Sequence, residues 1–116
     1  MIVDERIIKF FEGVLSKTRE GRIPWEPTAQ ESNFIAPIGG EFTLSISAQW
    51  ITRPLSASLE KYTLALRDMH GTIATLTDGE EGMRPGAMRE LYETARWQAV
   101  HGGEKINKAL EVLQSL

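Results

Sequence analysis

The chain has 116 residues, 41% hydrophobic and 25% charged, with 13 basic and 16 acidic side chains and a net charge of −3. Those proportions suit an ordinary folded domain and exclude a mostly disordered chain, which would be poorer in apolar residues and carry more net charge. They disfavour a dedicated duplex-DNA binder, which concentrates cations to neutralise phosphates, and the absence of cysteine excludes disulfides, thiolate nucleophiles and Cys-ligated zinc.

The length fits one domain over residues 1–116, with a radius of gyration of about 13 Å if it is compact. Basic and acidic residues are mixed along the chain, and no run of five like charges exists. The first residues carry Asp4 and Glu5 where a signal peptide would be basic. The longest apolar runs fall far short of the roughly 18 residues a membrane helix needs. The expectation is a soluble cytoplasmic protein without membrane contact.

Residues 3–20 are helical by period. Val3, Ile7, Phe10, Phe11, Val14 and Leu15 recur at three- and four-residue steps. Asp4 is placed to cap this helix, Lys17 and Arg19 suit its last turn, and Gly21 stops it. Residues 21–33 hold Pro24 and Pro27 around Trp25 and read as an extended connector.

The period then changes to two. Phe34–Ile38 is a short strand, placed at an edge because Pro37 cannot donate a ladder bond. Gly39-Gly40 signals a two-residue hairpin. Phe42, Leu44, Ile46, Ala48 and Trp50 alternate with Thr43, Ser45, Ser47 and Gln49, giving a strand with one apolar face and one uncharged polar face. Residues 52–58 form a loop. Tyr62, Leu64 and Leu66 mark a third strand, Asp68–Gly71 a turn, and Thr72–Thr77 a fourth strand.

An acidic loop over residues 78–82 follows. From Pro85 the helical period returns, with Met88, Leu91, Tyr92, Ala95 and Ala99 on one stripe. Gly102-Gly103 costs about 2 kcal/mol inside a helix, so a break is expected there. A last helix carries Ile106, Ala109, Leu110 and Leu113 on what should be its inner face. The expected fold class is α+β: a four-stranded antiparallel meander covered by an N-terminal helix and a long, broken C-terminal helix.

Trp25, Phe34, Tyr62-Thr63-Leu64, Asp68, Gly71 and the run from Leu91 to Arg96 form a pattern spread over residues 7–115. On these residues the chain resembles a family of small bacterial proteins with no established activity, built as a helix, a four-stranded meander and C-terminal helices. The resemblance implies an accessory product of a bacterial or mobile-element operon. Gly102-Gly103 departs from that pattern, which has ordinary helix formers there.

No constellation of catalytic residues stands out. His70 and His101 are isolated and lack the spacing of a zinc site, so they read as exposed turn and helix-end residues. None of the serines lies in a nucleophile elbow. Glu80 and Glu81 read as a solvated loop before a helix N-terminus, where negative charge is favourable. Gly79, Gly82 and Gly86 with Arg84 could cradle an anion, but Asp78, Glu80 and Glu81 oppose one. No metal and no cofactor is expected.

A second surface is more informative. Arg89, Glu93 and Arg96 lie off the apolar stripe, and Trp97 follows Arg96. Arg and Trp are enriched at interface hot spots, and Arg also pairs phosphates. The plain reading is a salt-bridged solvent face, with Glu93 serving the arginines. The candidate partner-binding residues are therefore Arg89, Arg96, Trp97, Tyr92 and, if exposed beside Pro24, Trp25. The expected function is a non-enzymatic protein-interaction domain that binds itself or another protein through its helical layer and free sheet edge. The alternative is a small-ligand or nucleotide-binding sensor or sequestering module, with Arg89, Arg96 and Tyr92 as contacts.

Overall fold

The computed structural model describes residues 5–51, 59–78 and 83–116. Val3, Asp4, the loop at 52–58, Gly79, Glu80, Glu81, Gly82 and the side chain of Trp50 lie outside the described residues. The elements in chain order are α1 (Glu5–Arg19), β1 (Glu26–Pro27), β2 (Asn33–Ile38), β3 (Phe42–Ile51), β4 (Leu59–Asp68), β5 (Gly71–Thr77), α2 (Ala87–Ala99) and α3 (Gly102–Gln114). The fold is α+β, with a five-stranded antiparallel sheet in the order β1-β2-β3-β4-β5 and three helices.

The extra strand corrects the four-strand expectation. Glu26 and Pro27 pair with Ile35 and Phe34 and form a two-residue outer strand. Both residues are exposed, so no alternation of apolar and polar side chains announces them. β1 pairs with β2 only at Phe34 and Ile35, which leaves the outer side of Pro37 outside its register. The β2–β3 turn is also longer than the glycine pair implies. Ile38 faces Phe42, so the loop is Gly39-Gly40-Glu41, with both glycines at positive φ.

Alternation places the core. Leu44, Ile46 and Ala48 on β3 and Tyr62 and Leu64 on β4 point to one face of the sheet and are buried. On the opposite face Thr43, Ser45, Ser47 and Thr63 are half-buried and Ala65 is buried. The Asp68 side chain accepts a hydrogen bond from the His70 backbone N–H at 2.8 Å, which fastens the β4–β5 turn.

Two helices cover the apolar face. α1 contributes Phe11, Val14 and Leu15, and α2 contributes Met88, Leu91, Tyr92, Ala95 and Ala99. Tyr92 packs its ring against Phe34 and Tyr62, with centroids 5.7 Å and 5.2 Å apart. Gly21 at φ 74° ends α1 in a Schellman motif: the Arg22 N–H donates to the Lys17 carbonyl, and the Gly21 N–H to that of Thr18.

α3 departs from the expected arrangement. Its stripe of Ile106, Ala109, Leu110 and Leu113 is not an inner face, because every residue of α3 except Gly102 is exposed. The radius of gyration is accordingly 16.1 Å, and the longest dimension is 56 Å. Among the described residues, no helix is long and apolar enough to cross a membrane.

Candidate interaction surface

The surface is built on a rigid seat where α1, the connector and α2 meet. Thr18 is fully buried near the end of α1. Its hydroxyl accepts a hydrogen bond from the Trp25 indole N–H at 3.0 Å. Its carbonyl accepts one from the Gln98 side-chain amide at 2.6 Å. A buried polar group left without a partner costs about 1–3 kcal/mol, so these bonds fix the connector to both helices. Nearby, the Arg19 and Arg84 guanidiniums both donate to the Glu90 carboxylate. The Arg19 bond, followed by that of Arg84, lowers the Glu90 pKa from 4.5 to about 2.

The α2–α3 junction sits on this seat. The break falls on His101, one residue before the glycine pair. His101 adopts φ 54° and ψ 48°, the left-handed region, while Gly102 and Gly103 open α3. A side chain in that conformation costs about 1–2 kcal/mol. Gly102 is needed for a different reason. A Cβ at Gly102 would lie 2.4 Å from Trp97 Cδ2, so the indole ring rests directly on the glycine. Gly103 has no such neighbour, with nothing within 4 Å of its would-be Cβ.

From that junction α3 carries an amphipathic face that no other element covers among the described residues. Ile106, Leu110 and Leu113 are 51%, 49% and 64% exposed. At 100° per residue they share one face with Gly102 and Ala109. Trp97, itself 53% exposed, stacks at the base of that face. Glu104, Lys108 and Glu111 lie on the side of the helix opposite that face, and Lys105 lies at one edge of it.

A second apolar surface lies beside α1. A cleft of about 460 Å³ is lined by Phe10, Val14, Ile23, Ile38 and Leu44. One wall is the ridge Lys9, Gly13 and Lys17, spaced at i, i+4 and i+8, and Arg22 stands at the connector end. Gly13 is exposed in the middle of α1, and nothing lies within 4 Å of its would-be Cβ. Glycine there costs about 1 kcal/mol relative to alanine, and no turn or close contact among the described residues requires it.

The residues singled out in the sequence divide by burial. Trp97 and Arg96 are exposed. Arg89 is exposed and donates to Glu93 at 3.1 Å. Trp25 and Tyr92 are 5% and 8% exposed and belong to the core, so neither offers a face to a partner in this conformation. Trp25 is buried because its indole N–H finds Thr18, and Tyr92 because it completes the aromatic cluster. Arg89 and Arg84 also line a cleft with Tyr62, Asp78 and Gly86. Its charged groups are engaged already: Asp78 accepts from the Tyr62 backbone N–H at 2.9 Å, and Arg84 is held by Glu90.

No family model, no curated protein and no solved structure matches this chain.

Proposed function

We propose that this chain is a non-enzymatic protein-interaction domain whose docking element is α3, and that it works as a self-associating accessory protein of a bacterial or mobile-element system. The observation that carries the reading is the exposed face of Ile106, Leu110 and Leu113 on a helix set apart from the core. A 13-residue helix is marginal in water on its own, because nucleation costs more than so short a helix returns. A sequence that keeps four apolar residues on one side of such a helix gains from covering them. Trp97 extends the patch with a residue type that anchors interfaces. Arg96 supplies a nearby charged group.

Sedimentation velocity on wild type and Leu110→Asp tests the reading. Wild type is expected to form a concentration-dependent complex, with itself or with a stoichiometric partner. Leu110→Asp should lose that complex while its melting temperature stays within about 1–2 °C, since α3 adds little to the core. A strictly monomeric wild type at high concentration, with no stoichiometric partner, contradicts the reading.

A further inference from the structure

We infer that the α2–α3 junction is a two-state hinge, in which the bent form described above exchanges with a form whose residues 87–114 run as one straight helix about 42 Å long. The inference goes beyond the interaction reading, because it concerns how α3 is aimed and stands whether or not a partner covers it.

Three observations carry it. The first is phase. Met88 and Ile106, Leu91 and Ala109, Tyr92 and Leu110, and Ala95 and Leu113 are each eighteen residues apart, which is five whole helical turns. Run through the junction without a break, the buried stripe of α2 therefore continues as the apolar face of α3, residue for residue. Ala99 and Gly102 fall on the same line and fill the gap. A turn between two independent helices imposes no such phase.

The second is strain confined to one residue. His101 is the only non-glycine residue at positive φ among the described residues. Its Cβ disfavours the left-handed backbone, whereas Gly102 and Gly103, which adopt it freely, lie inside α3 instead. At the bend the His101 N–H donates to the Gln98 carbonyl at 3.1 Å, and the ladder resumes with the Lys105 N–H on the His101 carbonyl at 3.0 Å. No side chain caps the first turn of α3. The straight form relaxes His101 and lets the amides of Gly102, Gly103 and Glu104 donate to the carbonyls of Gln98, Ala99 and Val100.

The third is how little opposes the change. Trp97 rests on Gly102, and Gly102 is the one buried residue of α3. Straightening gives up that stack and places two glycines in a helix interior, and little else. α2 stays where it is, because Gln98 is tied to the Thr18 carbonyl and Ala95 and Ala99 are buried in the core. One strained residue and three backbone hydrogen bonds on one side, against one ring contact and two glycines on the other, leave both forms populated.

Spin-label distances test the inference. The chain has no cysteine, so labels go on Glu93→Cys and Glu111→Cys, two exposed positions on one side of the straight helix. Their Cα atoms lie about 27 Å apart in the straight form, and the bend shortens that distance. Measured on the dilute chain, wild type should show both distances. Trp97→Ala removes the stack, and His101→Ala favours the helical backbone. Each should raise the ratio of straight to bent at least about fivefold. His101→Gly relieves the bend and should lower the ratio by about as much. Thermal melts of each variant check that the core is intact. If the straight distance is missing from every variant, or the ratio is the same in all of them, the junction is a fixed elbow and the inference is overturned. Gly102→Ala gives an independent check. Its Cβ cannot share space with the indole ring, so the distances should move toward the straight form. A shift of indole fluorescence with unchanged distances would show that the ring alone yields, which also overturns the inference. Sedimentation of the same chains keeps the two readings apart. Two distances in a chain that never associates uphold the hinge and contradict the proposed function, and a dimer with one fixed distance does the reverse.

Discussion

α2 and α3 are both 13-residue helices with one apolar side, joined by two residues, yet one is the centre of the core and the other stands outside it. Leu91 on α2 is 0% exposed, and Leu110 on α3 is 49% exposed. Periodicity reports that a helix face seeks cover. It does not report which surface supplies the cover, or whether that surface is on the same chain. The difference here is made at the junction, where His101 turns the chain and Trp97 occupies the place beside Gly102.

The largest effect should come from exchanging like for like across this pair of helices. Leu91→Ala is expected to cost about 2–5 kcal/mol, because it opens a cavity in a closed core. Leu110→Ala should cost under about 1 kcal/mol in the dilute chain, where the side chain is already half in water. Urea titrations of both variants check the contrast, and equal losses would place α3 in the core. Next in size is the seat beneath the junction. Thr18→Val leaves the buried Trp25 indole N–H without an acceptor, and a loss of about 1–3 kcal/mol is expected in the same assay.

The glycine pair sharpens the comparison further. Gly102→Ala should destabilise the junction, because the new Cβ meets the Trp97 ring, and the indole fluorescence should shift as the ring is displaced. Gly103→Ala should be neutral or stabilising by up to about 1 kcal/mol, since alanine favours the helix and nothing blocks it. The smallest effect is electrostatic. Glu90 has its pKa lowered from 4.5 to about 2 by Arg19 and Arg84, so folding favours its charged form. Its contribution is complete above about pH 4.5 and fades as the pH falls toward 2. In Glu90→Gln the wild-type advantage, under about 1 kcal/mol for an exposed pair network, should disappear across that window. Melting temperatures measured at several pH values check this.

Much of the fold was legible because β2, β3, β4 and the first two helices each bury a face within this chain. The alternation from Leu44 to Ala48 and the stripe from Met88 to Ala99 both read directly onto buried positions, whereas Phe42 at the start of the same alternation is exposed. β1 was not legible, since two exposed residues beside a tryptophan carry no period. The turn of His101 was hidden because glycine is the expected residue for a left-handed backbone, and here the glycines follow it inside the helix. The candidate surface was legible in part. Arg96 and Trp97 are exposed as their place off the stripe implied, whereas Trp25 and Tyr92 are held inside by partners distant in sequence. The ridge of Lys9, Gly13 and Lys17 went unnoticed. Its signal was a glycine with good helix formers on the same side one turn before and after it.

Hydrogen exchange across a concentration series tests the central claim most directly. The account predicts that α2 amides are strongly protected at every concentration. The α3 amides should exchange rapidly in the dilute chain and become protected as concentration rises. Protection of α3 equal to that of α2 in a dilute monomer would contradict the account, because α3 would then be part of the chain's own core.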